Sequence, residues 1–332
     1  MSVPLRETLR FEITSAHPRD RLDKLVVELL EQAGAPASRA AVQRWIDAGR
    51  VLVSGKPSRS SAAVPTGALV EINPEPPEPS AAEPDPSIQL NVVFEDPHLL
   101  VIDKPAGLVV HPARGHAAGT LVNALLARGG FERPAADPRD PAGHLRPGIV
   151  HRLDKGTSGL LVVAKNERTR ETLKTLFAAH TIDREYEAIV IGAAVTATYA
   201  TLHGRHPQDR LRFTSFVTEG RRAVTHVELK ERIGPASRVV CRLETGRTHQ
   251  IRVHLAERAK TPILADPLYG RPPKNPALAR IAEELGRQAL HARVLGFVHP
   301  ITRQTMRWES PLPKDITRAL DELRALATRS ST

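Results

Sequence analysis

The sequence predicts an α+β protein of two units joined by a spacer, on three observations. Before residue 73, two apolar helical faces are followed by short strand segments. Residues 73–90 hold six prolines and no basic residue. From 91 to 313, strand-like runs dominate, with charged loops between them. The length of 332 residues agrees, at about 150 residues per domain. The predicted boundaries are 15–73, 74–90 and 91–320.

In the first unit Leu22, Leu25, Val26, Leu29 and Leu30 recur at helical spacing, with an end near Gly34. Ser38 suits the N-cap of a second helix carrying Ala41, Val42, Trp45 and Ile46 on one face. Residues 51–53 read as a strand, Ser54-Gly55 as a turn, and 69–72 as a closing strand. In the proline run neither helix nor central strand is expected, which leaves an extended, semi-rigid linker.

Residues 91–95 and 99–102 read as two strands with a turn at Asp96-Pro97, and 103–107 as a second turn. A short helix is expected over 120–127. The loop His151-Arg152-Leu153-Asp154-Lys155 leads into an apolar strand over 160–164. A helix over 167–180 and a strand over 182–190 follow, with Tyr186, Ala188 and Val190 on one face. Residues 205–222 read as a basic loop region, and 223–227 and 239–243 as strands. The tail from 314 reads as a terminal helix fraying over its last residues.

Hydrophobic residues make up 41%, which excludes a wholly disordered chain. The single cysteine, Cys241, excludes an intramolecular disulfide and a cysteine zinc cluster, and fits a reducing compartment. Residues 1–13 hold no apolar run, so no signal peptide is expected. The longest nearly uninterrupted apolar stretch, 188–198, is far too short to span a bilayer. The expected location is cytoplasmic, with no membrane and no protein partner.

The net charge is +10. It is uneven: residues 200–260 carry 13 basic and 6 acidic side chains, while 73–90 carry only 4 acids. A polyanionic partner, RNA or DNA, is the reading this favours; charge repulsion for solubility is the bland one. In the first unit Arg21, Lys24, Arg39, Arg44, Arg50 and Lys56 recur. Each taken alone reads more simply as part of a solvated face.

The densest chemistry is the run 148–165, where His151, Arg152, Asp154 and Lys155 sit at the mouth of the apolar strand. A surface turn with an internal ion pair is the alternative. Arg247, His249, Arg252 and His254 fall within eight residues, suited to cradling phosphate or balancing a buried carboxylate. The two histidines are not at a helical zinc spacing, and no metal site is expected.

"GIVHRLDKGTSGLLVVAK" resembles the signature of the RluA-type pseudouridine synthases. "KPAGLVVHP", "REYEAIV", "LETGRTHQIRVHLA" and "PILADPLYG" match the family's other motifs in order. The first unit resembles an S4 RNA-binding module through "RLDKLVVELL", "SRAAVQRWIDAGRVLVSGK" and a terminal "VEI" strand. The resemblance covers residues 15–313. It implies a small S4-type domain, then a catalytic domain with a mixed, mostly antiparallel sheet and a central active-site cleft. It further implies isomerisation of uridine to pseudouridine in RNA, most nearly in 23S ribosomal RNA of the large subunit or its precursor. A related synthase acting on another rRNA or tRNA uridine is one alternative; a non-catalytic ribosome-assembly protein is another.

The isomerisation breaks a C–N bond and makes a C–C bond to the same ribose carbon, so no cofactor is expected. The base must leave the RNA stack for a pocket. A carboxylate near the anomeric carbon is then needed, as nucleophile or as base at the ribose 2′ position. The resemblance places that carboxylate at Asp154, the aromatic packing on the base at Tyr186, and the arginine pairing with the carboxylate at Arg252. Arg247 is a second basic residue there. Arg152 is expected to fill the gap left by the flipped base, with a structural ion pair as its alternative. The six basic residues of the first unit would position RNA through phosphates. His151 is expected to be a satisfied loop histidine without a catalytic role.

Overall fold

The computed structural model describes residues 8–15, 17, 20–33, 37, 39–74, 83–111, 118–132 and 148–329. The expected helix end at Gly34, the Ser38 cap and residues 75–82 of the proline run lie outside them, and of the Ala41 side chain nothing is described. The chain divides into two compact units, with the boundary beside residue 82.

The first unit contains β1 (Leu9–Glu12), α1 (Leu22–Gln32), α2 (Arg39–Asp47), β2 (Val51–Val53), β3 (Lys56–Pro57) and β4 (Leu69–Ile72). The four strands form one sheet in the order β1-β4-β2-β3. Leu22, Leu25, Val26, Leu29 and Leu30 of α1 and Val42, Trp45 and Ile46 of α2 are buried together with Val51, Val70 and Ile72 of the sheet. The helical periodicity therefore marks the faces that bury apolar area, the main stabilising contribution of such short elements. Strand pairing begins at Leu9, which lies opposite Ile72, ahead of the expected start at residue 15.

The second unit contains, in order, β5 (Asn91–Glu95), β6 (Leu99–Lys104), α3 (Leu121–Arg128), β7 (Ser158–Ala164), α4 (Glu167–Ala178), β8 (Asp183–Ile191) and β9 (Ala197–Arg205). It continues with β10 (Phe213–Thr214), β11 (Arg221–Ile233), β12 (Ala236–Leu243), α5 (Gln250–Val253) with a following π-helical turn (His254–Arg258), α6 (Pro276–Leu285), β13 (Leu290–Val298), β14 (Thr305–Glu309) and α7 (Lys314–Arg329). Its strands build one ten-stranded sheet in the order β10-β9-β11-β12-β8-β13-β7-β6-β5, with β14 beside β13. Among the described strands only the β13–β7 pairing is parallel, so the sheet is mixed and mostly antiparallel. Among the described residues no helix is long and apolar enough to cross a membrane.

Three expectations are corrected here. Asp103 and Lys104 belong to β6 and not to a turn: they pair with Leu160 and Gly159 of β7. The basic region 205–222 is less loop-rich than its composition suggests, because β9, β10 and β11 take up both ends and part of its middle. The spacer is also shorter than 74–90, since Asn123 accepts from the Asp85 amide at 3.0 Å and donates to the Glu83 carbonyl at 2.8 Å.

Tyr186 sits in β8, near the middle of the sheet, with β12 on one side and β13 on the other. The neighbouring strands meet closely at Gly159, with φ +116°, where a Cβ would stand 2.2 Å from the Ala292 carbonyl oxygen. Only glycine lets β7 and β13 meet there.

Candidate active site

Asp154 occupies a loop anchored at both ends on one strand. Before the loop, Ile149 bridges Val163, and the Ala164 amide donates to the Gly148 carbonyl at 2.9 Å. After it, the chain enters β7 at Ser158. His151 Nε2 accepts from the Val162 amide at 3.0 Å, and its ring lies 4.6 Å from that of Phe177. Burial pushes His151 down to about 3, so it is neutral and serves as a fixed acceptor, as the satisfied-histidine reading holds.

The back of the loop is held as firmly. Lys104 is fully buried, and its ammonium donates to the carbonyls of Pro105 (2.8 Å), Leu108 (3.0 Å) and Lys155 (3.5 Å). Gly107 donates to the Lys155 carbonyl, Arg287 to the Gly156 carbonyl, and Gln288 to the Thr157 hydroxyl. A short turn closes with Thr157 donating to the Asp154 carbonyl. Rigid backbone support of this kind leaves the Asp154 carboxyl as the part that faces outward, at 17% exposure.

Arg252 comes from α5. That helix is pinned at its start by buried Gln250, whose amide donates to Val224 and Thr225 and accepts from Thr245 and Arg247. Arg252 Nη1 donates to Asp154 Oδ2 at 2.9 Å, while Nε and Nη2 hold both oxygens of buried Asp266, each at 2.8 Å. Burial alone would lower the guanidinium; the two carboxylates outweigh it and hold it charged. The motif 244–255 therefore balances buried carboxylate through Arg252. His254 does not face the carboxylates. It is buried between Thr225 and Thr201, 2.8 and 2.9 Å away, and burial pushes it down to about 4.

His249 adopts a left-handed backbone, φ 60°, which swings its ring toward the site. Its Nε2 lies 3.8 Å from Asp154 Oδ1, and its Nδ1 lies 2.9 Å from the Tyr269 hydroxyl. Tyr269 also accepts from the Phe213 amide at 2.8 Å and packs its ring 5.1 Å from the Arg252 guanidinium. Burial lowers His249, against the pull of Asp154.

Asp154, Tyr186, Arg252, Arg152 and Arg247 all line one cavity of about 370 Å³, together with His249 and Gln250. A wider cavity of about 1170 Å³ shares Arg152, Asp154, Tyr186 and Arg247 with it and extends to Phe177, Arg184 and residues 246–248. Tyr186 is buried and its phenol raised by that burial, between the charges of Arg184 and Asp154. All five residues expected in the catalytic cleft are thus brought together.

The six basic residues singled out near the N-terminus belong to the first unit. There Arg21 and Arg39 converge on buried Asp23, at 3.1 and 2.9 Å, and Lys24 pairs with Asp20 at 2.9 Å. No such pairing is seen for Arg44, Arg50 and Lys56 among the described residues. Sequence reasoning assigned no role to Asp266, Tyr269, Arg184 or Lys104, although each lies inside a motif already singled out. Among the described residues no group of three or more His, Cys, Asp or Glu side chains could hold a metal ion.

A family model described as RNA pseudouridylate synthase matches residues 98–257. The chain is 42% identical to Ribosomal large subunit pseudouridine synthase D of Xanthomonas campestris, covering 99% of this chain and 97% of that protein. It is 42% identical to the protein of the same name in Pseudomonas aeruginosa, over 92% of each chain. It is 39% identical to the Uncharacterized RNA pseudouridine synthase YlyB of Bacillus subtilis, over 95% and 98%. Among solved structures it is similar to Human RNA Pseudouridylate Synthase Domain Containing 4, with TM-score 0.53 and 25% identity over 70% of this chain and 93% of that one.

Proposed function

Since this chain belongs to the RNA pseudouridylate synthase family, we propose that it converts specific uridines of large-subunit ribosomal RNA to pseudouridine. The observation that carries this reading is Asp154 in its cavity, held by Arg252 at 2.9 Å and faced by Tyr186. Asp154 acts on the ribose of a flipped uridine, as nucleophile at the anomeric carbon or as base at the 2′ position. Tyr186 packs on the base. Arg252 fixes the direction of the carboxylate, with Asp266 fixing Arg252 in turn. Arg152, exposed at the cavity mouth, fills the space the base leaves in the RNA. Arg247 supports the same anionic strand.

The first unit, β1 included, acts as an S4-like RNA-binding domain, joined by the proline-rich linker to a catalytic domain that begins by residue 83. Arg44, Arg50 and Lys56 are its principal phosphate contacts, because Arg21, Lys24 and Arg39 are engaged by Asp23 and Asp20. The modification takes place in the cytoplasm, as part of ribosome biogenesis. No atoms are gained or lost in the isomerisation, so the chemistry calls for no redox cofactor.

Pseudouridine maps of ribosomal and transfer RNA from cells with and without the gene test this. Loss of discrete 23S sites is expected. Loss confined to transfer RNA or the small subunit would overturn the target, and an unchanged map would overturn the activity.

A further inference from the structure

Arg184 stands on β8 two residues before Tyr186, on the same face of the strand. It is only 7% exposed, yet it pairs with no carboxylate among the described residues. Its Nη2 donates to the Glu244 carbonyl at 3.1 Å, its guanidinium lies 5.4 Å from the Phe177 ring, and its Nε is buried without a partner. The other buried cations here are satisfied: Arg252 by two carboxylates, Lys104 by three carbonyls. Burying a charge without a counter-charge is strongly unfavourable, so a group of this kind points to an anion absent from the free protein.

The surroundings are shaped to leave that group open. A Cβ at Gly246 would stand 2.7 Å from Arg184 Nη1, so the guanidinium lies directly against the bare backbone at residue 246 and would have to shift to admit a side chain there. Arg184, Gly246, Arg247 and Thr248 line the wide cavity that also reaches Asp154, Tyr186 and Arg152. The acid lining that cavity, Asp154, is already paired with Arg252. Three guanidiniums therefore face the space beside the uridine pocket with no acid left for them.

We propose that Arg184, against the backbone of residues 246–248, binds one backbone phosphate of the substrate RNA next to the flipped uridine. A guanidinium fork matches phosphate oxygens in two-point contact. The contact would fix the ribose of the target nucleotide relative to Asp154. This rests on the reading that RNA is the substrate.

The test uses the full-length protein and a 23S fragment spanning a mapped site, with filter binding over a range of salt and single-turnover conversion. Arg184→Gln is expected to weaken binding about 10- to 100-fold, the range of a charge-assisted contact. The slope of log affinity against log salt should shrink by about 0.7–0.9, the share of one phosphate. In the native protein, one neutral methylphosphonate linkage beside the target uridine should cause a comparable loss, and Arg184→Gln should be indifferent to it. Gly246→Ala keeps the charge but displaces the fork, and should show the same indifference; it decides the matter where Arg184→Gln does not fold. Variants that keep the native salt slope and the native sensitivity to every methylphosphonate overturn the cradle. So does a loss traced to uracil substitutions and not to a linkage. A native protein that converts the fragment while the variants match it sinks the cradle alone; a native protein that neither binds nor converts RNA sinks the function with it.

Discussion

Arg252 Nη1 lies 2.9 Å from Asp154 Oδ2, and the rest of its fork is occupied by Asp266. One arginine thus joins a partly buried carboxylate on the β7 loop to a fully buried one on the 264–270 loop. The buried pair fixes the guanidinium, and the fixed guanidinium sets the direction of Asp154. Geometry of this kind places a reacting group without asking it to be mobile.

Asp266→Asn keeps the shape of the buried partner and removes its charge. Breaking a buried pair from one side should cost about 3 kcal/mol of stability. Turnover should fall at least tenfold, since Arg252 loses its fixed reference, while RNA affinity stays within about twofold. Urea unfolding and single-turnover rates read both effects. Unchanged stability and rate would show that Arg252 is oriented without Asp266.

Lys104→Met leaves the carbonyls of Pro105 and Leu108 without their donor. Burial pushes the Lys104 ammonium down to about 8, below its ordinary 10.5. The unfolded chain therefore binds more protons between those values, and native stability should rise across that window by something on the order of 2 kcal/mol. Unfolding midpoints at pH 7.5, 9 and 10 should show the rise in the native protein and its absence in Lys104→Met. Parallel pH profiles would contradict it.

Asp23 makes the opposite case in the first unit. Burial would raise its carboxyl, but hydrogen bonds from Gln43, Arg21 and Arg39 outweigh that and hold it down to about 2. Its folded value lies below the ordinary 3.8, so the stability it lends is present above that value and lost as pH falls toward 2. With both arginines half exposed the effect is about 1 kcal/mol after screening. Circular dichroism of the isolated first unit, titrated from pH 5 to 2, should show acid unfolding that Arg39→Gln moves to higher pH. An Arg39→Gln titration that overlays the native one would remove the pair from the unit's acid stability.

Removing residues 1–82 should leave a folded core that still converts RNA, with weaker and less selective binding. The cut falls at 82 because Glu83 and Asp85 bond to Asn123. An insoluble or unfolded product would show that the core depends on the first unit.

Much of this was legible in the sequence, and the exceptions have physical reasons. The helices of the first unit, β5 to β8 and α7 announce themselves by apolar period or by turn residues. β1 and β9 do not: β9 is Ala-Thr-Tyr-Ala-Thr-Leu-His-Gly-Arg, alternating in exposure but weak in hydrophobicity, so its pattern does not mark it as a strand. Lys104 looks like a turn lysine because nothing local reveals that β7 pairs with it and buries it. At the site, the loop holding Asp154 was plain from its dense charge. Its partners were harder, since Arg252 is 98 residues away and Asp266 a further 14. Only long-range sheet pairing brings them together, and residue pattern does not encode it. Arg184 was hidden for the same reason: a lone arginine in a strand looks like an edge charge until its burial is known.

Asp154→Asn tests the central claim most directly. The substitution keeps the side-chain shape and removes the nucleophile and the base together. Single-turnover tritium release from uridine-labelled 23S fragments, run beside filter binding, is the measurement. Turnover should fall by at least three orders of magnitude, about 4 kcal/mol of barrier, while RNA affinity stays within a few fold because arginines elsewhere supply the phosphate contacts. Near-normal turnover in the Asn variant would remove Asp154 from the chemistry and contradict the assignment of this cavity as the active site.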